Sequence, residues 1–209
     1  MSVRIAVIDS GVHATHRHVN GVAGGVAILP DGREYADYTD RLGHGTAVTA
    51  VIREKVPQAE VYAVKIFHDS LAARIGPLVG AIEWSLREKM DMINLSLGTS
   101  NPEHEELLQS WLSKAVEQGC RIVAAGEDDG VRWLPGAIPG AIAVELDWNC
   151  PRGEYRTRTN AQGRRIYRAS GYPRPIPGVP AERNLKGLSF AVANVTGLLA
   201  AESLTAAGN

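Results

Sequence analysis

The chain reads as an α/β protein built on a mainly parallel sheet, and three observations carry that reading. Short β-branched runs alternate with amphipathic segments of helical period, and several of the strands end in a glycine or an acid. A hydrophobic content of 44% over 209 residues is enough to fill one sizeable core, so a single domain spanning residues 1–209 is expected.

Residues 3–8 form a buried strand that ends at Asp9-Ser10-Gly11. An aspartate there either braces its own turn or stands at the strand edge where open α/β sheets carry their chemistry. His13, His16 and His18 follow in polar chain; with no acidic or cysteine partner at hand they read as surface histidines, not metal ligands. Residues 21–29 read as a glycine-rich hairpin and residues 30–41 as a polar loop.

Gly43-His44-Gly45-Thr46 then opens a helix that runs through residue 52. The flanking glycines leave room for a substrate backbone, and an imidazole titrates where a general base must. A capping histidine is the plainer reading of the same residues. Residues 60–66 are a second strand, and 76–89 a helix with Leu78, Val79, Ile82 and Leu86 on one stripe. Residues 92–98 are a third strand, and 102–118 an amphipathic helix with acids in its first turn and Gly119 at its stop. Residues 121–125 form a fourth strand, closed by Gly126-Glu127-Asp128-Asp129-Gly130, and 141–145 a fifth.

Beyond this point the alternation fails. Residues 155–159 and 164–168, split by Asn160-Ala161-Gln162-Gly163, read as an exposed hairpin with its arginines in solvent. A proline-rich loop, 173–180, leads to Lys186-Gly187-Leu188-Ser189 and a last apolar helix. Ser189 therefore stands at a helix N-terminus, where unpaired N–H groups favour a developing negative charge. Serine is equally a preferred helix cap with no chemistry to do.

The bulk properties exclude several classes. A net charge of −1 implies no nucleic-acid partner and no anionic membrane surface. Cys120 and Cys150 fit neither a disulfide framework nor a zinc cluster. No apolar run is expected to reach membrane-spanning length, and the first residues run straight into a strand without a signal peptide. A cytoplasmic protein without cofactor or metal is the expectation.

The chain order Asp9, His44, Ser189, with the flanking residues, resembles the subtilisin-like serine proteases. Asp9-Ser10-Gly11 is similar to the aspartate motif of that family and Gly43-His44-Gly45-Thr46 to its histidine motif. Gly187-Leu188-Ser189-Phe190-Ala191 resembles the serine motif, with Leu188 where threonine is usual and Asn194 replacing a proline–histidine pair. Tyr62-Ala63-Val64-Lys65 and Asn94-Leu95-Ser96-Leu97-Gly98 are also similar to family strands.

The resemblance implies a three-layer α/β/α fold of subtilisin type and a serine endopeptidase acting on a peptide or protein substrate. Ser189 would be the nucleophile, His44 its base, and Asp9 the group that orients the imidazole. Ser96, Leu97 and Gly98 would pair with an extended substrate. Together with Ala124, Ala125 and Gly126 they would wall the pocket for the side chain before the cleaved bond. Glu127 would stand where the family carries an oxyanion-binding asparagine, and so tune or throttle catalysis.

The short link between residues 52 and 60 leaves no room for the calcium loop of many members, and no acidic cluster at calcium-loop spacing occurs. A minimal intracellular subtilase follows, one that trims a peptide precursor, with that peptide or a partner protein as its companion. The alternative is an inactive relative that keeps the groove as a peptide-binding module. Glu127, Leu188 and Asn194 favour this alternative, and the intact Asp9, His44 and Ser189 oppose it. A nucleotide-binding domain is disfavoured, because no glycine-rich phosphate loop follows the first strand.

Overall fold

The computed structural model describes residues 2–207. Its strands are β1 (Arg4–Asp9), β2 (Gly24–Ile28), β3 (Glu34–Tyr35), β4 (Glu60–Lys65), β5 (Met92–Leu95), β6 (Arg121–Asp128), β7 (Val131–Arg132), β8 (Ile142–Leu146), β9 (Tyr155–Thr159) and β10 (Arg165–Ala169). Its helices are α1 (His44–Lys55), α2 (Ile75–Arg87), α3 (Glu105–Glu117) and α4 (Leu188–Ala207). The strands form one sheet in the order β3-β2-β4-β1-β5-β6-β8-β10-β9, with β7 attached to β6. Pairing from β2 across to β10 is parallel throughout, and β3, β7 and β9 join antiparallel.

The layering follows from apolarity on both faces of the central strands. Ile5, Ala6, Val7 and Ile8 of β1 are fully buried, so helices must cover the sheet on each side. Ala6 and Ile8 face a core shared with α2 and α3, through Leu78, Ile82, Leu108 and Leu112. Ile5 and Val7 face the opposite core, with Val48, Val51 and Ile52 of α1 and Phe190, Val192 and Val195 of α4. This is the three-layer α/β/α arrangement. The period of two along β1 carries Asp9 to the same side as Ile5 and Val7, where α1 begins.

Helix α4 is apolar on every side, and a helix of that kind has to be buried. By length and composition it could cross a membrane, against the expectation that no such run exists. It lies instead against the sheet, with residues from Phe190 to Thr196 buried.

Three expectations about elements need correction. Residues 21–29 are not a hairpin: β2 lies parallel to β4, and its antiparallel partner is the later β3. Val26, Ala27 and Ile28 are apolar enough to be buried, which draws the strand into the main sheet. The arginine-rich hairpin is not merely exposed, because β10 extends the sheet parallel to β8 and buries Ile166 and Ala169. The third strand ends its ladder at Leu95, which leaves residues 96–98 extended but unpaired in the sheet.

Helix α1 approaches β1 closely enough to forbid a side chain at its second residue. A Cβ on Gly45 would stand 2.2 Å from the Gly11 carbonyl oxygen and 3.1 Å from the Asp9 Cβ. Gly45→Ala must push the helix off the strand, with an expected loss of about 1–3 kcal/mol. Urea unfolding should show it as a lower midpoint at unchanged slope.

Candidate active site

The parallel sheet directs the carboxyl ends of β1, β5 and β6 to one edge, and the site forms where α1 and α4 start beside them. The Asp9 side chain is fully buried, and the His44 ring keeps 13% of its exposure. His44 Nδ1 lies 2.8 Å from Asp9 Oδ1 and 3.0 Å from Oδ2, so one imidazole edge is held by both carboxylate oxygens. The Phe190 ring tilts against the imidazole at 5.7 Å between centroids and fixes its plane.

Ser189 is the second residue of α4, and its own N–H lies in the turn that has no intrahelical acceptor. Gly187, at φ 141°, makes the turn that delivers it. His44 and Ser189 line one cavity of about 570 Å³, together with Ser96, Leu97, Gly98, Ala125, Asp128 and Trp133. Among the described residues the serine does not bond the imidazole. Its Oγ donates to the Ser96 carbonyl at 3.0 Å, while Ser96 Oγ donates to the Ser189 carbonyl at 3.0 Å. Catalytic hydrogen bonds are often long or unmade in an apo structure and tighten when substrate arrives.

The other residues singled out in the sequence divide. Ser96, Leu97, Gly98 and Ala125 line the cavity. Ala124 faces the core beneath α2 and α3 instead. Gly126 and Glu127 line a second cavity, with Arg132, Glu145, Arg158 and Arg164, and do not line the one that holds Ser189. The cause is a register shift in β6 between Ala125 and Glu127 against β8, since an extra residue reverses the facing of everything after it. Asp128 is the acid that reaches the serine's cavity. His13, His16 and His18 sit around a third cavity, and no group of three or more His, Cys, Asp or Glu able to hold a metal occurs among the described residues. Asn194 is buried, and its Nδ2 donates to the Ser170 and Tyr172 carbonyls, a bracing role for the chain ahead of Ser189.

Two supporting groups escaped the sequence reading. Asp40, in the presumed loop, is buried and accepts five hydrogen bonds. Its Oδ1 takes Ser10 Oγ at 2.9 Å and the Leu42 and Gly43 N–H groups at 2.9 and 2.8 Å. Its Oδ2 takes the Thr46 N–H at 2.9 Å and hydroxyl at 2.6 Å. Ser10 Oγ in turn accepts the Gly45 N–H, so one carboxylate ties the end of β1 to the start of α1. Lys65, buried and in register with Asp9, donates to the Thr39 carbonyl at 2.6 Å and anchors that loop. The second group is on β5: Asn94 donates to Ser96 Oγ at 2.8 Å and accepts from Thr196 of α4 at 2.9 Å. An aspartate four residues ahead of a helix start was the available signal for Asp40. Asn94 lay in a stretch that resembles a family strand, but its bonding role was not legible, because one partner lies 102 residues away.

Electrostatics follows from this geometry. Burial lowers the pKa of His44, but the hydrogen bond and charge of Asp9, with the charge of Asp40, outweigh it and hold the imidazole above its ordinary value. Burial pushes the Asp40 carboxyl up, and the bonds from Thr46, Gly43 and Leu42 more than offset that and hold it below the usual range. Asp40→Asn removes one of the two negative charges that support imidazolium. The His44 pKa should fall, read by NMR titration of the ring protons in the folded variant; an unchanged pKa would mean that Asp40 acts through geometry alone.

Known proteins share this architecture. The Subtilase family (peptidase S8) matches residues 1–161. Subtilisin E of Bacillus subtilis is 32% identical over 158 residues, which cover 68% of this chain and 40% of the relative. The minor extracellular protease Epr of the same organism is 35% identical over 156 residues, covering 68% of this chain and 23% of the relative. Subtilisin of Bacillus pumilus is 28% identical over 214 residues, covering 94% of this chain and 72% of the relative. The chain thus spans less than half the length of the first two relatives. A crystal structure of a cold adapted subtilisin-like serine proteinase superposes with a TM-score of 0.72 at 19% identity, over 97% of this chain and 76% of that one. With the family matched across residues 1–161 and the same fold recovered in space, the chain belongs to the subtilase family.

Proposed function

We propose that the chain is a serine endopeptidase that hydrolyses an extended peptide through Asp9, His44 and Ser189. The observation that carries the reading is a buried Asp9 carboxylate 2.8 Å from His44, whose imidazole lines the cavity that also holds Ser189. Ser189 Oγ turns from the Ser96 carbonyl to the imidazole, gives its proton to Nε2 and attacks the substrate carbonyl carbon. Asp9 accepts a hydrogen bond from the Nδ1–H throughout, which fixes the tautomer and stabilises the imidazolium without protonating the carboxylate. The oxyanion is met by the Ser189 N–H and the positive end of α4. His44 then returns its proton to the leaving amine, and water completes hydrolysis of the acyl-enzyme by the same route.

Residues 96–98 support an extended substrate, because the chain there is unpaired up to the bridge between Thr99 and Leu134. Base catalysis needs neutral His44, so activity rises as pH climbs through its raised pKa. We also propose that the protein works in the cytoplasm on a peptide precursor. Cys120 and Cys150 are free and buried, as suits a reducing compartment.

A second reading, a peptide-binding module without turnover, draws on the Ser189 hydroxyl being engaged by Ser96. A fluorophosphonate probe separates the two. It should label the parent chain and fail on Ser189→Ala, with cleavage of a casein substrate lost in that variant by a factor of about 10³ or more. A parent chain that resists the probe while binding peptide would establish the module instead. Glu127→Asn should leave the pH–rate profile unchanged, since that carboxyl lines the other cavity. A gain at alkaline pH would place the carboxyl at the oxyanion after all.

A further inference from the structure

Residues 133–136 are fastened to both segments that line the cavity with Ser189, residues 96–99 and the end of β6. The Trp133 N–H donates to the Gly126 carbonyl at 3.0 Å. Leu134 exchanges both backbone bonds with Thr99, at 2.8 and 3.0 Å. Gly136 presses so near β6 that a Cβ there would lie 1.9 Å from the Ala125 carbonyl oxygen. The segment is thus fastened to residues 98–99 on one side and 125–126 on the other, and it cannot slide.

The side chain it contributes to the cavity is an indole. Trp133 lines the same cavity as Ser189, Gly98 and Ala125, half-buried, and packs on the core cluster that includes Ala125. It leans on the bare wall at Gly98, where a Cβ would meet Trp133 Cβ at 3.2 Å and Cε3 at 3.5 Å. An aromatic side chain carries about 150–250 Å² of surface to bury, and the indole here lies along the cavity wall beside Gly98 and Ala125.

We propose that Trp133 sets the specificity of the endopeptidase by filling the pocket for the residue before the cleaved bond, which limits that residue to glycine, alanine or serine. The inference rests on the proposed peptidase activity. Asp128 also lines the cavity, and a cation-selecting pocket is the competing outcome. The indole decides against it, because a lysine or arginine stem needs the slot depth that the indole occupies.

The test is a series of internally quenched peptides identical except for Gly, Ala, Ser, Leu, Phe, Lys or Glu before the cleaved bond. The parent chain should cleave the three small residues with kcat/KM at least about tenfold above Leu, Phe and Lys. Trp133→Ala should reverse the order between Ala and Phe by a similar factor, with Trp133→Leu intermediate. Fluorophosphonate labelling of Ser189, which needs no side-chain pocket, is run on every variant. A parent that labels but accepts Phe or Lys as readily as Ala overturns this inference and leaves the peptidase reading standing. A parent that neither labels nor cleaves overturns both. If neither variant folds, the parent's own preference decides the matter.

Discussion

Burying α4 is the constraint on which the rest depends. A helix with no polar face has one stable location, between the sheet and a second helix, and α1 is the helix that covers it. That choice puts Ser189, one residue into α4, at the carboxyl edge of the sheet, and puts the start of α1 next to the end of β1. The geometry of the candidate site is therefore a by-product of core formation: the apolar residues decide where the helices lie, and His44 and Ser189 are carried at their first turns.

The polar groups then remove the remaining play. Asp40 grips both β1 and α1 through Ser10, Gly43 and Thr46, and Thr196–Asn94–Ser96 links the middle of α4 to the strand beside its start. These bonds are buried, so leaving one unmade costs about 1–3 kcal/mol in desolvation. The ion pairs on the outer hairpin are of another order. In Arg158–Glu145 and Arg156–Asp147 the guanidinium is about half in solvent while the carboxylate is largely buried, so water screens each pair from the arginine side. Arg164, on the same hairpin, does more by binding carbonyls: Gly136, Ala137, Ile138 and Ala141 all accept from it, and the segment it holds is the one that carries Trp133.

What could be read from the chain alone was whatever is written locally. Asp9 at a strand end, His44 between glycines and Ser189 ahead of an apolar helix each have their signal within a few residues. The parallel sheet was legible in the same way, from alternation. Asp40, Asn94 and Trp133 were not, because each matters through a partner far along the chain or through the position of a loop. Glu127 shows a different limit: its place was carried over from the family's motif, and the register shift in β6 between Ala125 and Glu127 sets the side chain in the other cavity. In β10 the arginines hid Ile166 and Ala169, which are buried on opposite faces of the strand, and in β2 the glycines disguised a strand.

The two ends of the sheet bear on how the molecule meets its neighbours. One edge is β3, a ladder of two residues, and the other is β9, whose Arg156 and Arg158 project charge along its length. Short and charged edges are what discourage a second chain from adding a strand. The extended stretch at residues 96–98 lies inside the sheet order, sheltered between these blunted margins. Open backbone capable of pairing is thus offered at the cleft and withheld at the rim, which keeps copies of the chain from adding to one another edge to edge into fibrils.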